Sequence, residues 1–367
     1  MHKLLILFVF FSLAVAAQNN SNTTNQNNSK GKESKAVEEV QIQSTSKEVV
    51  NAQSKSYELN VSELQFELKS ISTYSTRKTP TALQQEQLHA RLKEIELMND
   101  QSFEYHLLKY QIGNYDFTKI ESLEEAEKLK PNDAKVMKEF SAYYYIINNE
   151  KELNKYLGRL DALRFFTKDL ELYANNVLQS LPSNSVLICH GEQDTYPLLI
   201  QQKIKSLRLD VEIISLDHLQ SDEYRKRLKN TGFKIPKNDI IDTQFFAEFM
   251  RLNSDKNIIV AASVPQPYLK MGEKINSVGL GFSFENNVSD DYNLKLYEKG
   301  LKNEISNHVN QTKQGSLLTN YLPFLFSVRN VYIEKGDKSS MEEIEAIIVK
   351  IGKYSYTSKQ VNSLLNK

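Results

Sequence analysis

The side chains best suited to chemistry stand together in the run His190-Gly191-Glu192-Gln193-Asp194-Thr195-Tyr196-Pro197. An imidazole, two carboxylates, a hydroxyl and a phenol there fall within a few positions of one another. The run follows a short apolar stretch, Ser185–His190, and precedes a segment of helical period, Thr195–Leu207. In open α/β sheets ligands bind where strands end and helices begin. His190, Gly191, Glu192, Asp194, Thr195 and Tyr196 therefore form the candidate ligand loop. Glu192 and Asp194 together could perform acid/base work on a glycan. The same residues also have a purely local account: Gly191 makes the turn, Asp194 or Thr195 caps the helix, and Pro197 sits in its first turn.

Three catalytic readings fail on the residues themselves. Strand–His-Gly-x-x-Asp resembles the acid loop of an α/β-hydrolase, with Asp194 as the acid and His218 as the base. That chemistry needs a nucleophile elbow G-x-S-x-G upstream, and the sequence contains none. Cys189 adjoins His190, but neighbouring strand residues point to opposite faces, and a lone Cys late in an apolar strand is expected in the core. His190, Glu192 and Asp194 offer metal donors with no second cluster to complete a shell. His89, His106, His218 and His308 stand isolated. No catalytic residue, metal or cofactor is assigned. Arg225-Lys226-Arg227 and Glu124-Glu125-x-Glu127 are expected to be solvated helix faces.

The elements around the loop set its context. Pro182 divides the sequence between two periods. Before it, from about Tyr57 to Ser180, the apolar spacing is helical: Phe103, Leu107 and Tyr110 share a face, and Leu123 and Ala126 share another. A shift of 34 residues brings Met137, Ser141 and Tyr144, then Leu157 and Leu160, with Pro131 closing the first unit. This is the tetratricopeptide pattern in degraded form, and two units fall short of the three that a stable array needs. After Pro182, strands Ser185–His190, Asp210–Leu216 and Asn257–Ser263 alternate with helices, and Gly279–Glu285 is a candidate fourth. That alternation argues a parallel α/β sheet. From Leu294 the period is helical again, with Ile344, Ile347, Ile348 and Ile351 inward.

The fold class expected is α/β plus all-α: tetratricopeptide-like helical repeats flanking a small parallel α/β module. The divisions are a signal at 1–17, an Asn/Ser-rich disordered leader at 18–56, a helical repeat region at 57–180, an α/β module at 181–287 and a helical end at 288–367. Met1-His2-Lys3, an apolar run to Ala17 and small residues at Ala14, Ala16 and Ala17 suit signal peptidase. The run of 14 residues is short of the ~20 that span a bilayer. No later stretch is apolar enough to span. Lys plus Arg and Asp plus Glu both number 46, so no net charge draws in nucleic acid. The single Cys189 excludes a disulfide framework. With 19 Tyr, 17 Phe and no Trp, the aromatic core is built from phenyl and phenol rings.

Gly191-Glu192-Gln193-Asp194-Thr195-Tyr196-Pro197, Arg208-Leu209-Asp210-Val211 and Ile214-Ser215-Leu216 resemble the soluble tail of a bacterial polytopic membrane family. That family is related to the protein O-mannosyltransferases, and its tail carries a G-[DE]-N-D-T-[FY]-P motif. Ile258–Ser263 and Gly279-Leu280-Gly281-Phe282 are similar to two later strands of the tail, and Asn320–Gly352 to the tetratricopeptide helices that often follow. The likeness covers residues 183–352. Gln193 replaces the motif's Asn, and the membrane-embedded catalytic part has no counterpart here, so glycosyl transfer is not implied. What is implied is an α/β module with Asp194 and Thr195 at its signature turn. The reading is an exported, non-enzymatic binding or scaffolding protein, periplasmic or cell-surface, with protein partners. The alternative is a protein that binds or processes glycans at Glu192 and Asp194.

Overall fold

The computed structural model of the chain describes residues 37–74, 76–270, 275–284, 291–312 and 315–366. The expected signal, and the leader as far as residue 36, lie outside them. From there the leader differs from expectation: α1 runs Val37–Tyr74 as one helix of 38 residues. No Gly or Pro falls between Val37 and Thr79, so nothing in the composition interrupts the helix. Tyr57 packs against the second core cluster. From there Val61, Leu64, Leu68 and Ile71 recur at helical spacing and meet Leu88, Leu92 and Ile95 of α2, Ala82–Asn99. Thr81 and Gln84 cap α2 reciprocally. Leu64 and Ile95 are fully buried, and truncating either to Ala should cost about 2–5 kcal/mol.

Two packed helix pairs follow, α3 (Phe103–Gln111) with α4 (Ile120–Leu129) and α5 (Ala134–Ile146) with α6 (Glu150–Ala162), and then α7, Lys168–Ser180. Ser102, Asp133, Asn149 and Thr167 cap α3, α5, α6 and α7 through their side chains. The expected faces are inward: Phe103, Leu107, Tyr110, Leu123, Ala126, Met137, Leu157 and Leu160 are all buried. Tyr144 is only half-buried.

The chain then enters the sheet. β1 (Val186–Cys189) is buried along its whole length and leads into α8, Glu192–Leu199. β2 (Glu212–Ser215), α9 (Asp222–Asn230), α10 (Thr243–Leu252) and β3 (Ile258–Ala261) come next. After the short α11, Gln266–Leu269, come β4 (Asn276–Val278) and β5 (Gly281–Ser283). The order is β2-β1-β3-β5-β4. Val186 of β1 pairs with Glu212 on one side and Ile258 on the other, both parallel. Two expectations are corrected. The sheet is mixed, because the fourth strand is a hairpin whose β5 runs antiparallel to β3 and β4. The helix after β1 begins at Glu192, not Thr195.

The hairpin follows from its turn. Only two residues, Gly279 and Leu280, separate β4 from β5, and such a link permits no parallel crossover. Gly279 adopts φ +54°, and a Cβ there would lie 2.2 Å from the Ser180 carbonyl oxygen. The Ser180 hydroxyl accepts from the Leu280 N–H at 2.9 Å, so the turn rests on the end of α7.

Five helices complete the chain: α12 (Tyr292–Leu296), α13 (Lys302–Gln311), α14 (Leu322–Lys335), α15 (Lys338–Tyr354) and α16 (Ser358–Leu365). Ile344, Ile348 and Ile351 are fully buried, as their spacing predicts, whereas Ile347 is only half-buried. One apolar core runs from Phe103 through all three parallel strands to Val361. The helices and the sheet therefore hold a single interior, and the α1–α2 hairpin with Tyr105, Leu108 and Ile112 has a second.

Candidate functional site

The carboxyl ends of β1, β2 and β3 gather the polar groups of the candidate loop. β1 lies between β2 and β3, so successive connections depart to opposite sides of it, and the crevice at such a point is where α/β sheets bind ligands. Gly191, at φ 76° and ψ 163°, turns the chain from β1 into α8 as its N-cap, with no side-chain cap bond. The expected cap by Asp194 or Thr195 is therefore corrected. Asp194 sits in the first turn of α8, where its Oδ2 accepts the His190 N–H at 3.3 Å and the Ser263 hydroxyl at 2.5 Å. Ser263 follows β3, so this carboxylate spans the crevice. Pro197 stands in the second turn.

Asp217, just beyond β2, closes the other side. Its Oδ2 accepts the Gly191 N–H at 2.6 Å, and its Oδ1 lies 3.3 Å from the ammonium of Lys78. Lys78 Nζ also contacts His190 Nε2. The Lys78 side chain is wholly enclosed, yet it comes from the segment joining α1 to α2. That segment is laced to the α/β module. The Lys78 N–H donates to the Ile241 carbonyl at 2.6 Å, Ile241 N–H to Thr79 Oγ1 at 2.9 Å, and the Tyr268 hydroxyl to the Thr76 carbonyl at 2.5 Å. Arg77 and Asp242 form an antiparallel bridge.

The electrostatics follow from burial and neighbours. Burial pushes the Asp194 carboxyl up to about 6 against the opposing Ser263 and His190 hydrogen bonds, and the charge of Asp217 adds to the rise. Burial would raise Asp217 too, but Lys78, His190, the Gly191 N–H and His218 outweigh it and hold the carboxyl below its ordinary range. Burial lowers Lys78, with Asp217 opposing. His218 is driven down to about 4 by burial. Its ring lies 5.4, 5.8 and 5.9 Å from those of Tyr115, Tyr145 and Tyr224, and its Nδ1 has no hydrogen-bond partner. Cys189 is buried and its thiol is pushed far up by desolvation.

Of the sequence-predicted residues, His190, Gly191 and Asp194 converge. Glu192 turns away and pairs with Lys138 of α5. Thr195 points inward, donating to Ser215 Oγ at 3.2 Å with Cys189 Sγ at 3.4 Å. Tyr196 is buried and donates to the Lys138 carbonyl at 3.0 Å. Sequence reasoning missed Lys78, Asp217, Ser263 and Lys138. Asp217 and Ser263 carried a signal, since each directly follows a strand whose end faces the loop. Lys78 carried none, because only the fold brings it across from residue 190. The basic run is also corrected. Arg225 is buried and donates to the Leu219 carbonyl at 2.7 Å, while Arg227 lies over the rings of Tyr145 and Tyr224 at 4.9 and 4.7 Å.

Among the described residues no group of three or more His, Cys, Asp or Glu side chains is placed to hold a metal ion, and no helix is long and apolar enough to cross a membrane. What the arrangement does chemically is hold a buried cation, Lys78, between a carboxylate and an imidazole at the mouth of the sheet.

No curated protein matches the chain. One solved structure, titled "Functional Characterization of Pseudomonas Aeruginosa pilF", aligns at 10% identity and a TM-score of 0.30, covering 85% of this chain and 99% of that one. The family described as TMEM260-associated domain 2 matches residues 171–359, from α7 to the start of α16. That segment holds β1 to β5, residues 190–197 and the C-terminal helices, and is consistent with the family resemblance of residues 183–352. The chain belongs to the TMEM260-associated domain 2 family.

Proposed function

We propose that the chain is an exported, non-enzymatic binding or scaffolding protein of the cell envelope, engaging protein partners through divergent tetratricopeptide-like helix pairs. The observation that carries this reading is the use made of the loop's charges. Lys78 is set against Asp217 and His190, and Glu192 against Lys138. The groups that would work on a substrate instead tie the helical segments to the α/β module. The helix pairs α3–α4 and α5–α6 supply surface for partners, since stacked helical units present extended faces. Affinity capture of the mature protein from its own envelope fraction, with cross-linking before lysis, tests the reading. Recovery of the chain alone, at every cross-linker concentration, overturns it. Export itself predicts a mature chain beginning near Gln18, and N-terminal sequencing that returns Met1 would refute that part.

A second reading, glycan binding or processing at Glu192 and Asp194, is favoured by one specific observation. Further carboxylates lie about the loop: the charge of Asp217 raises Asp194, and the charge of Glu192 raises Glu139. Burial raises the Glu139 carboxyl, and Gln111 Nε2 donates to it at 2.7 Å. A glycan array on wild type and Asp194→Asn discriminates. A glycan held by wild type and lost by Asp194→Asn, with the melt unchanged or raised, puts this reading first.

A further inference from the structure

Five aromatic rings form a continuous array across α5, α6 and the turn before α4. Phe140, Tyr144 and Tyr156 stack nearly parallel, with centroids 4.8 to 5.8 Å apart and interplanar angles of 17 to 21°. Tyr143 meets Tyr144 edge-on at 5.1 Å, and Phe117 meets Tyr143 edge-on at 4.7 Å. The array is graded in exposure. Phe140 and Tyr156 belong to the core, whereas Phe117, Tyr143 and Tyr144 are half-buried and form its outer edge.

The inner end of the array already binds cations. Lys155 lies 4.9 Å and Arg159 lies 5.2 Å from the Tyr156 ring centroid, the geometry of a cation–π contact. Glu127 accepts from both the Tyr156 hydroxyl and Arg159, and Glu152 from Lys155. Acidic side chains thus accompany the rings and hold the cations on them. Tyr144, next in the stack, has the same setting without the cation. Burial raises its hydroxyl, and Glu152, Tyr143, Glu127 and Glu124 add to the rise. Among the described residues no ammonium or guanidinium sits over its ring. Glu124 is exposed on α4, and Ile147 is exposed just beyond Tyr144.

We propose that Phe117, Tyr143 and Tyr144, rimmed by Glu124, Glu127 and Glu152, are the docking surface for a lysine- or arginine-bearing segment of a protein partner. The occupant is fixed by charge complementarity: Glu127 and Glu152 already hold Arg159 and Lys155, while Glu124 is exposed and stands in no ion pair among the described residues. The ring faces accept a cation, and the exposed Ile147 offers an apolar contact for its stem. The proposal rests on the scaffolding reading and adds the chemistry of the partner.

The test uses the full mature chain and two fluorescein-labelled peptides, one of alternating glycine and lysine and one of alternating glycine and glutamate. Fluorescence polarisation should show binding of the lysine peptide and not of the glutamate peptide, weakening as salt is raised. Tyr144→Ala and Glu124→Lys should each weaken the lysine peptide by about fivefold or more, as expected for loss of one cation–π or charge contact. Glu124 is exposed, so its variant keeps the fold if the stacked tyrosine does not. Phe66→Ser, on the exposed face of α1, should bind as wild type does. Equal binding of the two peptides, or wild-type affinity in either Tyr144→Ala or Glu124→Lys, overturns the proposal. If those variants still capture the partners that wild type captures in the envelope, the scaffolding reading stands and only the assignment of this surface falls.

Discussion

Burial raises the carboxyl of Asp194 to about 6 and lowers the imidazole of His218 to about 4, and the two residues lie on either side of Asp217. Their effects on stability run in opposite directions. Asp194 has a folded value above its ordinary 3.8, so its contribution is full below about pH 4 and lost as pH rises through about 6. His218 has a folded value below its ordinary 6.5, so its contribution is full above pH 6.5 and lost as pH falls toward 4. Each is worth about 3 kcal/mol, since both side chains are enclosed. The wild type should therefore show a nearly flat stability between pH 4 and 6.5. Asp194→Asn should leave the His218 trend alone and lose stability as pH falls, while His218→Phe should gain it. Denaturant midpoints measured across that interval check both, and flat profiles in the two variants would contradict the assignment. Cys189, enclosed beside Thr195, should resist a thiol reagent in the native state; rapid labelling would show that β1 opens.

The segment Thr76–Thr79 is a connection by length and a structural member by contact. Removing the Lys78 charge leaves Asp217 enclosed without its cation, which typically costs about 3–5 kcal/mol. Lys78→Met should show a loss of that size in urea melts, and Lys78→Met with Asp217→Asn should recover much of it. A double variant no better than the single would mean that packing, not charge, is at stake. Gly279→Ala forces a Cβ onto the Ser180 carbonyl at a positive φ, and a loss of about 2 kcal/mol or more is expected in the same assay. At this scale much of the fold could be read from the residues. Strands β1, β2 and β3 were visible as short apolar runs, and Phe103, Leu107, Tyr110 and Ile344, Ile348, Ile351 were visible by helical period. The antiparallel hairpin was not, because Asn276–Val278 and Gly281–Ser283 are too short to show alternation and their direction depends on the turn. The candidate loop was found, but its partners were only half legible. Asp217 and Ser263 lie where strand ends converge, whereas Lys78 arrives from the connection between α1 and α2 and Lys138 from α5. His218 looked isolated in sequence because the three tyrosines around it come from separate elements.

Across the whole molecule, the core that runs from Phe103 to Val361 joins the helix pairs, the sheet and the C-terminal helices. The α1–α2 hairpin stands on its own smaller core and is fastened by residues 76–79. The Tyr57 hydroxyl donates to Ser102 at 2.5 Å, beside the end of α2. A chain lacking residues 18–56 should melt within about a degree of the full mature protein, because that stretch of sequence has no sustained apolar periodicity. A drop of several degrees would show that this part of α1 rests on the body.

The helix extends N-terminal to Tyr57 as far as Val37. Residues 37–56 rise about 1.5 Å each, so the start of α1 stands about 30 Å past the point where α2 stops accompanying it. That makes the first half of the helix a semi-rigid boom. Anything fastened at residue 37 would be held at a set distance from the aromatic array and the sheet, and would swing with the hairpin instead of drifting on a slack tether. Lys78 and the bridge from Arg77 to Asp242 lie beyond the opposite end of α1, so a sideways load on its tip would reach the buried ion pair only through the packed half from Tyr57 to Ile71.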